Sequence, residues 1–107
     1  MERQDLLNAI EMLLNDVIEQ CFHHLVNHPQ ESIDLNEIVR EATQERAYLT
    51  IKVDAHGFED GSAQARSHCE QISKTLHKKS LQLMGRLQDI KGRHQSNVAG
   101  DAGAFDA

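Results

Sequence analysis

The residues best suited to chemistry lie close together in the stretch CFHHLVNH, which begins at Cys21. Cys21, His24 and His28 are spaced by three and four residues, so that they share one face of a helix. Thiolate and imidazole groups are common zinc ligands, and a fourth ligand could come from His68 or Cys69. A cysteine also packs as a small apolar residue, and the helix dipole favours histidines near a helix C-terminus. We therefore expect no metal or other cofactor, and keep Cys21, His24 and His28 only as candidate ligands.

Other residues of catalytic type do not form a catalytic arrangement. Ser67, His68 and Cys69 are adjacent, but neighbours on a helix point about 100° apart and cannot pair as nucleophile and base. Carboxylates such as Glu41 and Glu45 are expected on an outward, solvated face. We therefore expect the protein not to be an enzyme.

The first segment has the clearest helical pattern, with two apolar residues on almost every turn. We predict a helix at 4–28, which ends because Pro29 disfavours helical geometry in the residue before it. A stripe this wide contacts more than one neighbouring helix. Its centre is the first predicted partner-binding surface: Leu13, Leu14, Val17 and Ile18.

The second segment opens with a helix-start signal. Asp34 can act as the N-cap, and Glu37 lies three residues later, where it can reach back to the cap. Ile33 and Ile38 occupy the positions of a hydrophobic staple. We therefore predict a second helix at about 35–54.

The segment YLTIKV, residues 48–53, fits two structures. Its apolar residues alternate with polar ones and several are β-branched, which is typical of a strand. A single strand would need a second chain to pair with. We therefore favour a helix that continues to about Asp54 and keep the strand as the alternative. HGFEDGS, residues 56–62, contains two glycines and is predicted to be a loop.

The third segment carries a narrower, heptad-like seam. We predict a helix at about 62–92, with Ser62 as its N-cap and a length of about 45 Å at 1.5 Å per residue. The seam is the second predicted partner-binding surface: Cys69, Leu76, Leu83 and Ile90. Residues 95–107 are mostly small and polar, so we predict one helical domain at 1–94 and a disordered tail at 95–107.

Charge is divided unevenly along the chain. Residues 1–61 hold 13 acidic and 4 basic residues, whereas residues 62–94 hold 2 acidic and 7 basic ones. We expect the acidic first and second helices to lie against the basic third helix, within one chain or between two. In the alternative, the basic helix faces an acidic partner protein. In the contact with a partner, we expect Lys78, Lys79 and Arg86 to set orientation rather than affinity.

Length and composition limit the class of protein. A chain of 107 residues forms one domain at most, and its 39% hydrophobic and 4% aromatic residues are little material for a core. No apolar run approaches the ~18 residues that span a bilayer, and two cysteines form no disulfide framework. We expect no membrane contact and a cytoplasmic or other reducing intracellular location.

Together these features predict an all-α protein: a helical hairpin or small three-helix bundle with a long C-terminal helix, assembled as an oligomer. We expect a non-catalytic interaction module, such as an assembly subunit, adaptor or small chaperone, that binds helices of its own kind or of another protein. The alternatives are a nucleic-acid-binding regulator that uses the basic helix 66–93, and a His/Cys metal sensor. Nucleic acid is disfavoured because the net charge is −6 and no aromatic residue lies among the basic residues of that helix.

Overall fold

The computed structural model describes the backbone of residues 3–106 and the side chains of residues 3–93. Three α-helices follow one another: α1, Arg3–Asn27; α2, Ser32–Asp54; and α3, Ala63–Asp106. A short 3-10 helix, Pro29–Glu31, joins the first two. The described backbone contains no strand, so the predicted all-α class is confirmed.

The turn between α1 and α2 lies at the proline, as predicted. His28 has left helical geometry, with φ −138° and ψ 65°, because Pro29 crowds the residue before it. Its N–H still donates to the carbonyl of His24 at 2.9 Å, which satisfies the last turn of α1. The fixed φ of Pro29 suits the first position of a new helical turn. The chain therefore reverses over very few residues, and α1 and α2 form an antiparallel hairpin.

The predicted start of the second helix is wrong. α2 begins two residues before Asp34, and Glu31 occupies the N-cap without a side-chain hydrogen bond. The Asp34 carboxylate lies in the first turn and accepts a hydrogen bond from Arg93 at 2.9 Å. Ile33 is 82% exposed while Ile38 is buried, so the two form no staple. The 3-10 helix, which the sequence does not predict, brings the backbone into helical geometry before Asp34 can cap it.

The ambiguous segment at 48–53 is helical, which confirms the favoured prediction. Leu49 and Val53, four residues apart, are buried in the core, whereas Ile51 is 71% exposed. A strand would have placed all three on one face. Tyr48, on the exposed side, lies beneath the Lys52 ammonium group at 5.4 Å from the ring centroid.

The loop and the cap before α3 agree with the prediction. Gly57 and Gly61 have φ of +72° and +78°, a conformation that L side chains rarely adopt. The Ser62 hydroxyl then accepts a hydrogen bond from the backbone N–H of Ala65 at 3.1 Å. Ser62 therefore caps α3, because its side chain satisfies one of the four N–H groups that lack an intrahelical partner.

Helix α3 is longer than the predicted helix of 62–92 and runs to Asp106. The prediction ended where the apolar seam stops, at Ile90. A helical backbone does not require a buried stripe to continue, and no proline follows Pro29 to end it. The side chains from residue 94 onward lie outside the described residues, so the division into a domain and a disordered tail stays a prediction.

The three helices share one apolar core. Each supplies buried residues at helical spacing: Leu6, Ile10, Leu14, Val17 and Cys21 from α1; Leu35, Ile38, Ala42, Leu49 and Val53 from α2; Cys69, Ile72, Leu76, Leu83, Leu87 and Ile90 from α3. Leu14 and Leu76 are 0% exposed in the single chain. The apolar stripes that were expected to need a partner therefore pack against each other.

Two leucine substitutions test whether one chain completes this core. Leu14→Ala removes a fully buried side chain and should lower the free energy of unfolding by about 2–5 kcal/mol, because a cavity is left. Leu81→Ala makes the same chemical change at a 73% exposed helical position and should change it by less than about 0.5 kcal/mol. Urea unfolding followed by circular dichroism measures both. Similar losses for the two variants would contradict the core described above.

Candidate interaction surfaces

Both predicted partner-binding stripes are used inside the chain. Leu14 and Val17 are buried, and Leu13 and Ile18 are half-buried against the same core. The seam residues of α3 are buried as well: Cys69, Leu76, Leu83 and Ile90. A partner can reach these side chains only if the helices separate. Their role in partner binding stays a prediction, and exposed residues are the more direct candidates for a contact surface.

Carboxylates of α2 bind the cations of α3. Glu41 accepts a hydrogen bond from the Lys79 ammonium at 3.3 Å and another from the Arg86 guanidinium. Glu37 also lies near Arg86, at 3.7 Å. Lys79 and Arg86, predicted to orient a partner, thus contact α2 of their own chain. Lys78, the third residue of that predicted set, is exposed.

Glu41 is the centre of this network, and its predicted solvated position is wrong. Its side chain is only 28% exposed, because Lys79 and Arg86 cover it from α3. The hydrogen bond from Arg86 is the largest cause that lowers the pKa of Glu41. Burial acts in the opposite direction, and the bond from Lys79 adds to the lowering. The ionised carboxylate is therefore the form that the fold stabilises.

The acidic residues of α1 differ from those of α2. Four of them are exposed and belong to no ion pair in the described part of the chain: Asp5, Glu11, Asp16 and Glu19. Arg3 is the only Lys or Arg of α1, and it binds Asp54 at 2.7 Å. Of the two acidic helices that were expected to pair with basic α3, only α2 forms ion pairs with it among the described residues. α1 carries uncompensated negative charge toward water.

Part of the basic face of α3 also forms no ion pair within the described part of the chain. Lys74 and Lys78 are exposed and belong to no ion pair among the described residues. The nucleic-acid alternative, which used the whole helix 66–93, is not tested. It loses three of its cations to carboxylates of the same chain: Lys79, Arg86 and Arg93.

Two pairs of large apolar side chains lie on outward helix faces. Tyr48 and Ile51 on α2 are 54% and 71% exposed, and Phe22 and Val26 on α1 are 48% and 80% exposed. Residues three or four apart on a helix are neighbours, so each pair forms a small patch. The sequence pattern carried a signal for Ile51, which alternates with Leu49 and Val53. Apolar residues at alternate positions of a helix fall on two faces, and only one face can enter the core.

The Cys/His cluster is divided by the fold. Cys21 is fully buried in the core, whereas the rings of His24 and His28 lie against each other with centroids 4.3 Å apart. Burial raises the pKa of the Cys21 thiol, and the charges of Lys91 and Arg86 oppose this. No group of three His, Cys, Asp or Glu residues is arranged to hold a metal ion in the part of the chain that the structure describes. The three candidate ligands thus receive no geometric support.

An open cleft of about 270 Å³ lies where α1 begins, α2 ends and α3 begins. Cys69, His56 and Asp60 line it together, a set that resembles a nucleophile, a base and an acid in composition. The Nδ1 atom of His56, however, accepts a hydrogen bond from the Phe58 backbone N–H at 2.8 Å. The other ring nitrogen of the neutral ring then carries the proton and cannot accept one. No hydrogen bond joins these three side chains within the described residues, so they do not form a nucleophile–base–acid chain in this geometry.

Comparisons with protein-family models, curated protein sequences and solved structures found no match to this chain. Among the described residues, no helix combines the length and apolarity needed to cross a membrane. The candidate surfaces therefore rest on the geometry of this chain alone.

The Glu41 ion pairs predict a pH dependence of stability. The folded-state pKa of Glu41 is lowered, so its contribution is fully present above the unfolded-state pKa of roughly 4.3. It is lost as pH falls through the lower folded-state pKa. Glu41→Gln should therefore cost up to about 1 kcal/mol at pH 7, and this cost should shrink as pH falls below the unfolded-state pKa. Urea unfolding from pH 2 to 7 measures this, with Glu45→Gln as control, since Glu45 has no ion pair among the described residues. An equal loss at all pH values would contradict the assignment.

The two cysteines should differ in reactivity. Cys69 is 7% exposed and lines the open cleft, whereas Cys21 is fully buried and its pKa is raised. Because the thiolate is the reactive form, a thiol reagent should modify Cys69 at least about tenfold faster in the native protein. Peptide mass spectrometry after timed labelling measures both rates, and unfolding in urea should equalise them. Faster labelling of Cys21 in the folded protein would be incompatible with this packing.

Proposed function

We propose that the protein is a non-catalytic interaction module that packs a helix of a partner protein against the outward face of α2. An assembly subunit, adaptor or small chaperone would act in this way. The observation that carries the proposal is the exposed pair of Tyr48 and Ile51, on a helix whose opposite face is fully used by the core. Both cysteines are free, which agrees with a reducing intracellular compartment.

The surroundings of this pair favour a helical partner. Gln44, Tyr48, Ile51 and Ala55 follow one another at spacings of four, three and four residues and are all exposed. Gln44, Tyr48 and Ile51 thus form a seam along α2 that ends at the C-cap residue Ala55, and a second helix packs against a seam of this kind. Small and polar residues at its ends leave room for bulky side chains of the partner. Burying an exposed Ile51 side chain would contribute about 1.5–3 kcal/mol.

Tyr48 adds a polar group to an apolar contact. Tyrosine is enriched at protein interfaces, because its ring packs while its hydroxyl finds a hydrogen-bond partner. The Lys52 ammonium above its ring limits the positions that the ring can take. A partially fixed aromatic side chain loses less entropy when it binds. These features distinguish the α2 pair from the Phe22 and Val26 pair of α1.

Site-specific photo-crosslinking tests the proposal. With p-benzoylphenylalanine in place of Ile51, irradiation of the cells that produce the protein should give one dominant adduct with another polypeptide. Adding Tyr48→Glu should reduce that adduct at least fivefold, because a charge is placed in the contact. The same photoreactive residue in place of Asn36, an exposed position of α2 that lies 15 residues from Ile51 and outside the Tyr48 face, is the matched control. Identical adducts from the two positions, or none from position 51, would disprove the assigned surface.

A further inference from the structure

The uncompensated acids of α1 lie on a stripe that faces water. Its members are spaced by three or four residues, and all are exposed: Asp5, Asn8, Met12, Asp16, Glu19 and His23. Met12, at the centre, is 68% exposed. Asp16 receives only a local hydrogen bond, from the Gln20 side chain at 3.1 Å. The stripe therefore combines an apolar centre with negative charge that the described fold leaves uncompensated.

A second stripe lies on the outward face of α3. Its central charged residues are lysines, whereas those of the α1 stripe are acidic. Its members are also spaced by three or four residues and exposed: Glu70, Lys74, Lys78, Leu81, Gly85 and Gln88. Leu81 is 73% exposed, more than any other large apolar side chain of α3 in the described residues. Gly85 has open space around it, so another helix can approach its backbone closely.

We propose that the occupant of each stripe is a second copy of this chain, with α1 of one copy packed antiparallel on α3 of the next. In this register Met12 meets Leu81, and the two lysines meet the two acids: Asp16 with Lys78 and Glu19 with Lys74. Met12 to Glu19 and Leu81 to Lys74 each span seven residues, about 10.5 Å. The central ion pair is offset by about 1.5 Å, which a lysine side chain can bridge.

The register extends beyond this centre without a conflict of charge. One turn further, His23 lies opposite Glu70. In the other direction Asn8 lies opposite Gly85, and then Asp5 lies opposite Gln88. No position places two like charges opposite each other, and the smallest residue of one stripe lies opposite a polar one of the other. The six matched positions span 19 residues of each helix, a rise of about 27 Å.

Other arrangements of the same two stripes lose this match. A parallel register, aligned at the first members, sets Asp5 opposite Glu70 and Met12 opposite Lys78, and forms no ion pair. Packing α1 on α1 brings acids together, and packing α3 on α3 brings Lys74 and Lys78 together, both of which are repulsive. A parallel register shifted by two members keeps two ion pairs, Asp16 with Lys74 and Glu19 with Lys78, but it sets Met12 opposite Glu70 and Leu81 opposite His23. The antiparallel contact between unlike helices is therefore the arrangement that combines both ion pairs with the Met12–Leu81 contact.

This contact is heterologous, because it joins different surfaces of the two copies. A heterologous contact of this kind leaves one free α1 stripe and one free α3 stripe at the ends of a dimer, so association continues to larger species. The α2 face around Tyr48 and Ile51 takes no part in it. Self-association through α1 and α3 is therefore independent of partner binding by α2. An experiment that contradicts one of the two proposals does not contradict the other.

Sedimentation velocity at increasing protein concentration tests the proposal. At about 20 mM salt the weight-average sedimentation coefficient should rise with concentration past the value of a dimer, and 0.5 M salt should reverse the rise, because exposed ion pairs are screened. Asp16→Lys and Lys78→Asp should each weaken association at least tenfold. An equimolar mixture of these two variants should recover it, since Lys at position 16 of one variant then meets Asp at position 78 of the other.

Charge-matched controls separate this contact from a general effect of net charge. Glu59→Lys in the loop and Arg40→Asp on α2 change exposed positions outside both stripes and should leave association unchanged. Circular dichroism should show the same helicity for all variants. A chain that stays monomeric to about 1 mM at low salt overturns the proposal. So does association that the Asp16 and Lys78 variants leave unaltered, or a mixture that fails to recover.

Discussion

Burial of three apolar stripes against one another is the constraint on which the rest of the structure depends. α1 has 25 residues and α2 has 23, and the buried part of α3 runs from Ala65 to Ile90. At 1.5 Å per residue these lengths all lie between about 35 and 40 Å. Because the lengths agree, each stripe is covered from end to end by the other two. A small share of aromatic residues is therefore sufficient, since Leu, Ile and Val fill the space between three buried stripes of similar length.

Ion pairs between the helices contribute less to stability than the apolar core and act mainly on which helices are neighbours. Exposed and half-exposed ion pairs contribute little free energy each, but they differ between pairs of helices. α2 and α3 are joined by several, around Glu41 and near Arg93, whereas α1 is joined to α2 by Arg3 with Asp54 and by Arg46 with Asn15. The electrostatic match thus specifies the neighbours α2 and α3. Among the described residues, the outer face of α1 keeps unpaired acids and the outer face of α3 keeps the unpaired cations Lys74 and Lys78.

The local features of this fold could be predicted from the sequence, and the non-local ones could not. Helical spacing, the end of α1 at Pro29 and the cap at Ser62 depend on residues close in the chain, and the structure confirms them. The start of α2 was wrong because a 3-10 helix competes with the Asp34 cap, and short helical turns leave little pattern. Which carboxylates meet which cations depends on how the helices are aligned, so the role of Glu41 was not predictable. The alternation of Leu49, Ile51 and Val53 indicated that one helix face would stay exposed. Which face that is depended on the side from which the other helices pack.

The position of Glu41 has a consequence for the alignment of α3 along α2. An apolar seam that repeats every seven residues offers similar burial when one helix slides along the other, because leucine then replaces leucine. The slide that this repeat tolerates is seven residues, or two turns, and displaces every side chain by about 10.5 Å. Lys79 and Arg86 lie two turns apart and reach one carboxylate from opposite sides. Such a slide would carry one of them out of reach and would also separate Arg93 from Asp34, so these acidic side chains of α2 select one alignment among several that the apolar seam would tolerate.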